Sequence, residues 1–194
     1  KGHNYLSHQG EAFYFGQIFS QAESNKYYQH LMEGIEWQND AVIIYGKKVT
    51  TKRKVAWYGD KAFGYRYSNV TKIALPWSPV LKLLKNAVEL ESGESFNSCL
   101  LNLYHDGSEG MGWHSDNEKE LKKHAAIASL SFGAERRFSF KHRKTNERVA
   151  LYLEHGSLLI MKGETQENWL HSLPPIKSVC SPRINLTFRT IAMN

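Results

Sequence analysis

Residues with the chemistry to hold a metal stand out first. His114-Ser115-Asp116 places an imidazole and a carboxylate two positions apart, and His171 follows far along the chain. In an extended segment, residues two apart project to the same side. One imidazole and one carboxylate can therefore reach a single ion, with His171 as a third donor. Two His and one carboxylate on one face of a metal is the donor set that holds non-haem Fe(II), with positions left open for a co-substrate and dioxygen. The His-x-Asp spacing alone is weak. The chain has nine His, and a hydrogen-bonded His–Asp pair explains such a spacing more often than a metal does.

A second pattern lies close behind His171. Arg183-Ile184-Asn185-Leu186-Thr187-Phe188-Arg189 alternates between polar and apolar residues. A strand there buries Ile184, Leu186 and Phe188 on one face and turns Arg183, Asn185, Thr187 and Arg189 to the other. Two guanidiniums facing an interior are costly unless anions meet them. Each can grip a carboxylate with two parallel hydrogen bonds, so the pair suits a dicarboxylate. An exposed edge strand with solvated arginines is the plainer reading. Asn102-Leu103-Tyr104 likewise puts an amide and a phenol on one strand face, just ahead of His114.

Together these segments resemble the AlkB family, Fe(II)/2-oxoglutarate dioxygenases that demethylate alkylated nucleic acid. Trp57-Tyr58-Gly59-Asp60, Ser129-Leu130-Ser131-Phe132-Gly133 and Gly156-Ser157-Leu158-Leu159-Ile160-Met161 resemble the branch that repairs DNA bases. The resemblance runs over residues 41–191. It implies Fe(II) on His114, Asp116 and His171, which form the catalytic centre, and O2 as oxidant. It implies Arg183 on the distal carboxylate of 2-oxoglutarate, Arg189 near the chelating end, and Asn102, Tyr104 and Asn185 as hydrogen-bonding walls. The implied reaction hydroxylates a methyl group on a base nitrogen. Formaldehyde then leaves, with succinate and CO2 as co-products. Substrates such as 1-methyladenine and 3-methylcytosine in DNA are implied, with RNA as a second carrier.

The same resemblance nominates substrate-binding residues. Trp57 and Tyr65 match positions that flank the flipped base, with Tyr67 and Arg53 as weaker candidates. Glu118 matches an acid that meets the exocyclic amine. Arg136 matches an Arg of related repair enzymes, within the basic group Arg136, Arg137, Lys141, His142, Arg143 and Lys144. Each has an ordinary alternative: a turn anchor for Trp57, a solvated charge for Glu118, a solvated hairpin for the basic group. Lys52-Arg53 stands where relatives often have Pro-Arg. No single-residue hydrophobic wedge is evident. Single-stranded substrate is therefore expected at least as readily as duplex.

Composition sets the outer bounds. The 194 residues suit one domain. With 41% hydrophobic and 23% charged residues the chain is globular rather than disordered. The excess of 25 Lys+Arg over 19 Asp+Glu gives a net charge of +6, which permits a polyanionic partner. Aromatics beside basic residues can stack unpaired bases. No apolar run approaches a membrane span. The first residues show neither a signal-peptide stretch nor an initiator Met, so a trimmed N-terminus is expected. Two cysteines, Cys99 and Cys180, exclude a disulfide framework and fit a reducing cytoplasmic or nuclear compartment rather than secretion. A monomer is expected.

The elements that must position these residues follow from periodicity. Ser20-Gln21-Ala22-Glu23 is a capping box, and Tyr28, Leu31, Met32 and Ile35 carry a helix to about Gly34. Ser78-Pro79 starts a second helix that stops near Gly93. Strands are expected at 41–45, 55–58, 97–105, 125–132, 137–142, 148–153, 157–161 and 184–190. Residues 64–67 read as a loop. The fold class is α+β, mainly β: a double-stranded β-helix, or jelly roll, with N-terminal helices packed outside one sheet. A single domain over 1–194 is expected, with 1–95 as N-terminal extension and substrate lid and 96–194 as the catalytic core. The competing readings are a 2-oxoglutarate oxygenase acting on protein or a small molecule, and a non-catalytic jelly-roll binding module.

Overall fold

The computed structural model describes residues 2–67 and 70–193, with Tyr67 and Val70 by backbone only. Helix α1 (Gln21–Gly34) opens on the capping box: Ser20 Oγ accepts from the Glu23 amide, and Glu23 accepts from the Ser20 amide. Helix α2 (Pro79–Ser92) has Ser78 as N-cap and ends at Gly93 in the left-handed region. Strands β1 (Glu11–Gln17), β2 (Gln38–Ile44), β3 (Lys47–Gly59), β6 (Ser98–Tyr104), β8 (Ile127–Gly133), β11 (Ser157–Lys162) and β13 (Arg183–Arg189) form one sheet in the order β1-β11-β8-β13-β6-β3-β2. Strands β7 (Met111–His114), β9 (Arg136–His142), β10 (Arg148–Leu153) and β12 (Trp169–Leu173) form a second, in the order β10-β9-β12-β7. β4 (Gly64–Tyr67) and β5 (Val70–Ile73) make a separate hairpin, and α3 (Thr165–Asn168) is a single turn.

Two apolar layers hold this jelly roll together. Leu31, Ile35, Leu81, Leu84 and Val88 of the helical segments pack on Leu101, Leu103, Leu130, Ile184, Leu186 and Phe188 of the large sheet. The helices thus cover its outer face, as expected. Between the sheets, Ile127, Leu159 and Met161 meet Phe138, Phe140, Leu151, Trp169 and Leu173. Polar inner-face residues of β6 and β13 occupy the remaining interior, where the site lies. Gly133 closes the β8–β9 turn at φ 87°, and a Cβ there would lie 2.4 Å from the Pro182 carbonyl oxygen.

Six of the expected strands occur within two residues as β6, β8, β9, β10, β11 and β13. Residues 64–67 are a strand rather than a loop. Gly64-Tyr65-Arg66-Tyr67 pairs antiparallel with β5, a partner that four residues do not reveal on their own. β3 extends well beyond 55–58, because its first half is a charged, solvent-facing hairpin arm with no apolar alternation. β12 escapes pattern reading because it is the interior strand between β9 and β7, with Trp169, His171, Ser172 and Leu173 all buried. No helix among the described residues is long and apolar enough to cross a membrane. Cys99 and Cys180 are both free.

Candidate iron and 2-oxoglutarate site

Strands β7 and β12 are paired so that His114 faces His171 across the ladder. Their rings lie 4.3 Å apart between centroids. Asp116 follows on the loop after β7. Its Oδ1 is 3.9 Å from His114 Nε2 and 3.6 Å from His171 Nε2. One ligand atom from each of the three lies within 4.8 Å of the others, a spacing that could hold one ion. His114 Nδ1 donates to the Gly112 carbonyl at 2.7 Å, which leaves the Nε2 lone pair for a metal. His171 stacks on Phe138 at 5.2 Å. The Asp116 amide donates to Gln166 Oε1 on α3 at 2.8 Å, which fixes the loop.

The charges suit a cation. Burial alone would raise the Asp116 pKa. The hydrogen bond and charge of His171, then Arg189 and His114, outweigh it and hold the carboxyl well below its ordinary range. Burial and the neighbouring His171 lower the His114 pKa, so its imidazole is neutral at pH 7. A neutral imidazole and an ionised carboxylate are the forms in which His and Asp side chains bind a metal.

The cavity beside this triad measures about 480 Å³. Asn102, Tyr104, Arg183, Asn185, Thr187 and Arg189 line one side, with Val55, Leu100, Met111, Phe138, Met161 and Leu173 among its apolar lining. Arg183 is buried. Its Nη2 donates to Ser131 Oγ at 3.0 Å, its guanidinium lies 5.6 Å from the Tyr104 ring, and its Nε has no partner. No carboxylate of the described residues lies within ion-pair reach of it. Burial, with the charge of Arg136 adding, pushes its pKa down to about 10, so it stays charged at pH 7. A buried guanidinium with no anion is costly unless a ligand supplies one. Arg189 Nη1 lies 3.7 Å from Asp116 Oδ2 and 3.4 Å from Glu118 Oε1, while its Nε and Nη2 have no partner. These orphaned donors fit a dicarboxylate such as 2-oxoglutarate, and the triad fits Fe(II). The amide of Asn185 is spent on Ser129, the Leu130 carbonyl and Thr187, so it braces the wall.

The candidate substrate residues divide. Tyr65 is buried at the cavity, where its hydroxyl donates to Glu118 Oε1 at 2.5 Å. Burial, then the Glu118 charge, holds the phenol far above its usual pKa, so it remains a proton donor. Glu118 lines the cavity and its buried Oε2 has no partner. Trp57 is 4% exposed and does not line the cavity. Its indole N–H donates to the Phe63 carbonyl, and its ring lies 5.5 Å from Tyr65. Trp57 therefore supports Tyr65 from behind, because the inward position on β3 falls under the hairpin. Arg136 is also not brought to the cavity. It is 1% exposed and donates to the carbonyls of Asp106, Glu109 and Pro174, clamping the loop before β7. The inward face of β9 makes it a structural brace rather than a phosphate contact. The Tyr67 side chain lies outside the described residues.

Other residues of the site carry little signal in the sequence. Ser131 anchors Arg183; the alternation of 127–133 could have placed it on the inner face. Gln166 and Phe138 carry no such signal. Tyr45 is fully exposed at the tip of the β2–β3 hairpin, with Ile43 and Ile44 half exposed beside it. Tyr45-Gly46, both at positive φ, form the two-residue turn. Trp113 lies at the cavity edge with Lys141 Nζ 4.6 Å and Arg148 Cζ 5.7 Å from its ring.

Comparison with known proteins agrees with this geometry. Residues 11–189 match the 2OG-Fe(II) oxygenase superfamily. The chain is 42% identical to the DNA oxidative demethylase ALKBH2 of Mus musculus over 90% of its own length and 77% of that protein. It is 42% identical to the Bos taurus protein of the same name, over 90% of its own length and 66% of that protein. With the Bos taurus alpha-ketoglutarate-dependent dioxygenase alkB homolog 3 it shares 40% identity over 87% of its length and 62% of the relative's. The chain thus spans about two thirds of these relatives. The solved structure of OsALKBH1 superposes with a TM-score of 0.66 at 18% identity, covering 96% of this chain and 99% of that one, and shares the fold.

Proposed function

From the premise that the chain belongs to the AlkB family of the 2OG-Fe(II) oxygenase superfamily, we propose that it removes alkyl groups from base nitrogens in DNA, with RNA as a second carrier. The observation that carries this reading is Glu118. Two positions from a metal ligand, it offers a buried carboxylate oxygen with no partner, and Tyr65 holds its other oxygen in place. An unpaired acceptor beside the metal suits the exocyclic amine of a cationic base such as 1-methyladenine or 3-methylcytosine. Bound Fe(II), with 2-oxoglutarate and O2, supplies the oxidation that hydroxylates the methyl carbon. Arg183, Asn102 and Tyr104 bind and orient the co-substrate. Arg189 neutralises Asp116 and Glu118. Tyr65 and the half-buried His114 ring flank the base, and the apolar walls limit water. The hydroxymethyl group leaves the nitrogen as formaldehyde, and the base regains its pairing edge.

A base reaches such a cavity only by leaving its stack, which costs least where pairing is already lost. Tyr45 supports a duplex substrate as well as a single strand, since an exposed aromatic tip can fill the gap in the stack. The exposed cations Arg143 and Arg148, with Lys141, have no carboxylate partner among the described residues and suit phosphate contacts near the cavity edge. Tyr45→Ala should lower activity on duplex about tenfold or more, about 1.4 kcal/mol or more of lost unstacking support, and leave single-strand activity within about twofold. Residues 1–95 are read as extension and lid, and 96–194 as catalytic core, of one monomeric domain working in a reducing cytoplasmic or nuclear compartment.

The test is mass spectrometry of oligonucleotides carrying 3-methylcytosine, with Fe(II), 2-oxoglutarate and ascorbate. Loss of the methyl group that requires 2-oxoglutarate supports the proposal. Turnover of 2-oxoglutarate with every alkylated oligonucleotide intact would instead favour a protein or small-molecule substrate.

A further inference from the structure

Beside the co-substrate wall lies a charged cluster that the reaction itself does not use. Asp40, on β2, is buried, and each carboxylate oxygen holds one cation. Its Oδ2 accepts from Arg53 Nη2 on β3 at 3.1 Å, and its Oδ1 from Lys72 Nζ on β5 at 3.0 Å. Arg53 Nη1 in turn donates to Asn102 Oδ1. Lys72 is paired across the hairpin with Tyr65, whose hydroxyl donates to Glu118. All of these residues line the same cavity.

The chemistry of the contacts gives them direction. Arg has donors only, so the Asn102 carbonyl must face Arg53. The Asn102 NH2 group is then left for an anion in the cavity. Asp40 is the single carboxylate between the two cations, and removing it would leave the nearly buried Arg53 and the partly exposed Lys72 without a counter-charge. On one side it sets the orientation of a co-substrate ligand, and on the other the hairpin that carries Tyr65. From this we infer that Asp40 is a positioning residue that couples 2-oxoglutarate binding at Asn102 to the placement of the β4–β5 hairpin over the substrate. The inference rests on the reading of the cavity as a co-substrate and base pocket.

Two variants separate the arms of this device. D40N removes the charge that holds both and leaves an acceptor for at most one of them; K72M cuts only the hairpin arm. The Mn(II)-loaded protein would be titrated with 2-oxoglutarate by calorimetry, and hydrogen exchange across β4 and β5 followed with and without it. In the unmodified protein 2-oxoglutarate should slow exchange in the hairpin. D40N should bind it about tenfold more weakly, as loss of a supporting residue does at comparable sites, and lose that protection. K72M should bind it within about twofold of the unmodified protein yet lose the protection. If D40N fails to fold, K72M decides alone. Hairpin protection that survives in K72M overturns the inference, as does unchanged 2-oxoglutarate affinity in a folded D40N. If the unmodified protein does not bind 2-oxoglutarate, the functional proposal falls and this inference with it.

Discussion

Asp116→Ala should lower demethylation by about a thousandfold or more, well beyond the roughly 10- to 100-fold typical of losing a supporting residue at a metal site. Asp116 is the one anionic donor of the triad, and two neutral imidazoles hold Fe(II) poorly without it. Its loss also strips Arg189 of one of two acidic partners, leaving Glu118 alone against that buried charge. Asp116→Asn keeps the shape and removes the charge, so it should fail in the same way. Metal content after dialysis against Fe(II), measured beside activity, checks the claim. Either variant retaining stoichiometric iron and near-normal turnover would mean that the metal sits elsewhere.

Arg183→Met should separate stability from function. Arg183 is a buried cation with no anionic partner among the described residues, held by Ser131 and the Tyr104 ring. Replacing such a charge with an apolar side chain of similar length is often neutral or stabilising. The melting temperature of the variant without ligands should therefore match or exceed that of the unmodified protein. Its KM for 2-oxoglutarate should rise by about two orders of magnitude, because losing a buried partner to a carboxylate costs about 2–5 kcal/mol. At a fixed 2-oxoglutarate concentration, the stabilisation that the ligand confers should shrink correspondingly. Thermal melts with and without 2-oxoglutarate, together with the KM, decide this. A lower melting temperature with unchanged KM would show that Arg183 is a structural cation instead.

Much of the centre was legible because its chemistry is local in sequence. His114 and Asp116 share a short extended segment, and the alternation from Arg183 to Arg189 puts four polar side chains on one strand face without any knowledge of the partner strands. The apolar half of that strand, Ile184, Leu186 and Phe188, is fully buried against the helix layer. Residues whose roles depend on what a distant element does were not legible. Arg136 reads as a basic surface residue, yet three carbonyls from two separate loops consume its donors. Trp57 sits in a motif that suggests base stacking, but the β4–β5 hairpin covers it and leaves Tyr65 at the cavity. Asp40 has no motif at all. Its importance comes from β2, β3 and β5 meeting at one carboxylate, a coincidence of topology that spacing cannot encode. Tyr45 is silent in the sequence for a different reason: a lone aromatic beside Gly46 resembles any hairpin turn until its exposure is known.

In the proposed function one cavity both holds the 2-oxoglutarate and aims the oxidation at an alkylated base. The most direct measurement is to quantify succinate and repaired 3-methylcytosine in the same reaction tube over time. The two should rise together in about a one-to-one ratio, and both should vanish without 2-oxoglutarate. Succinate that accumulates at the same rate whether or not the alkylated oligonucleotide is present, with the base unrepaired, would contradict it.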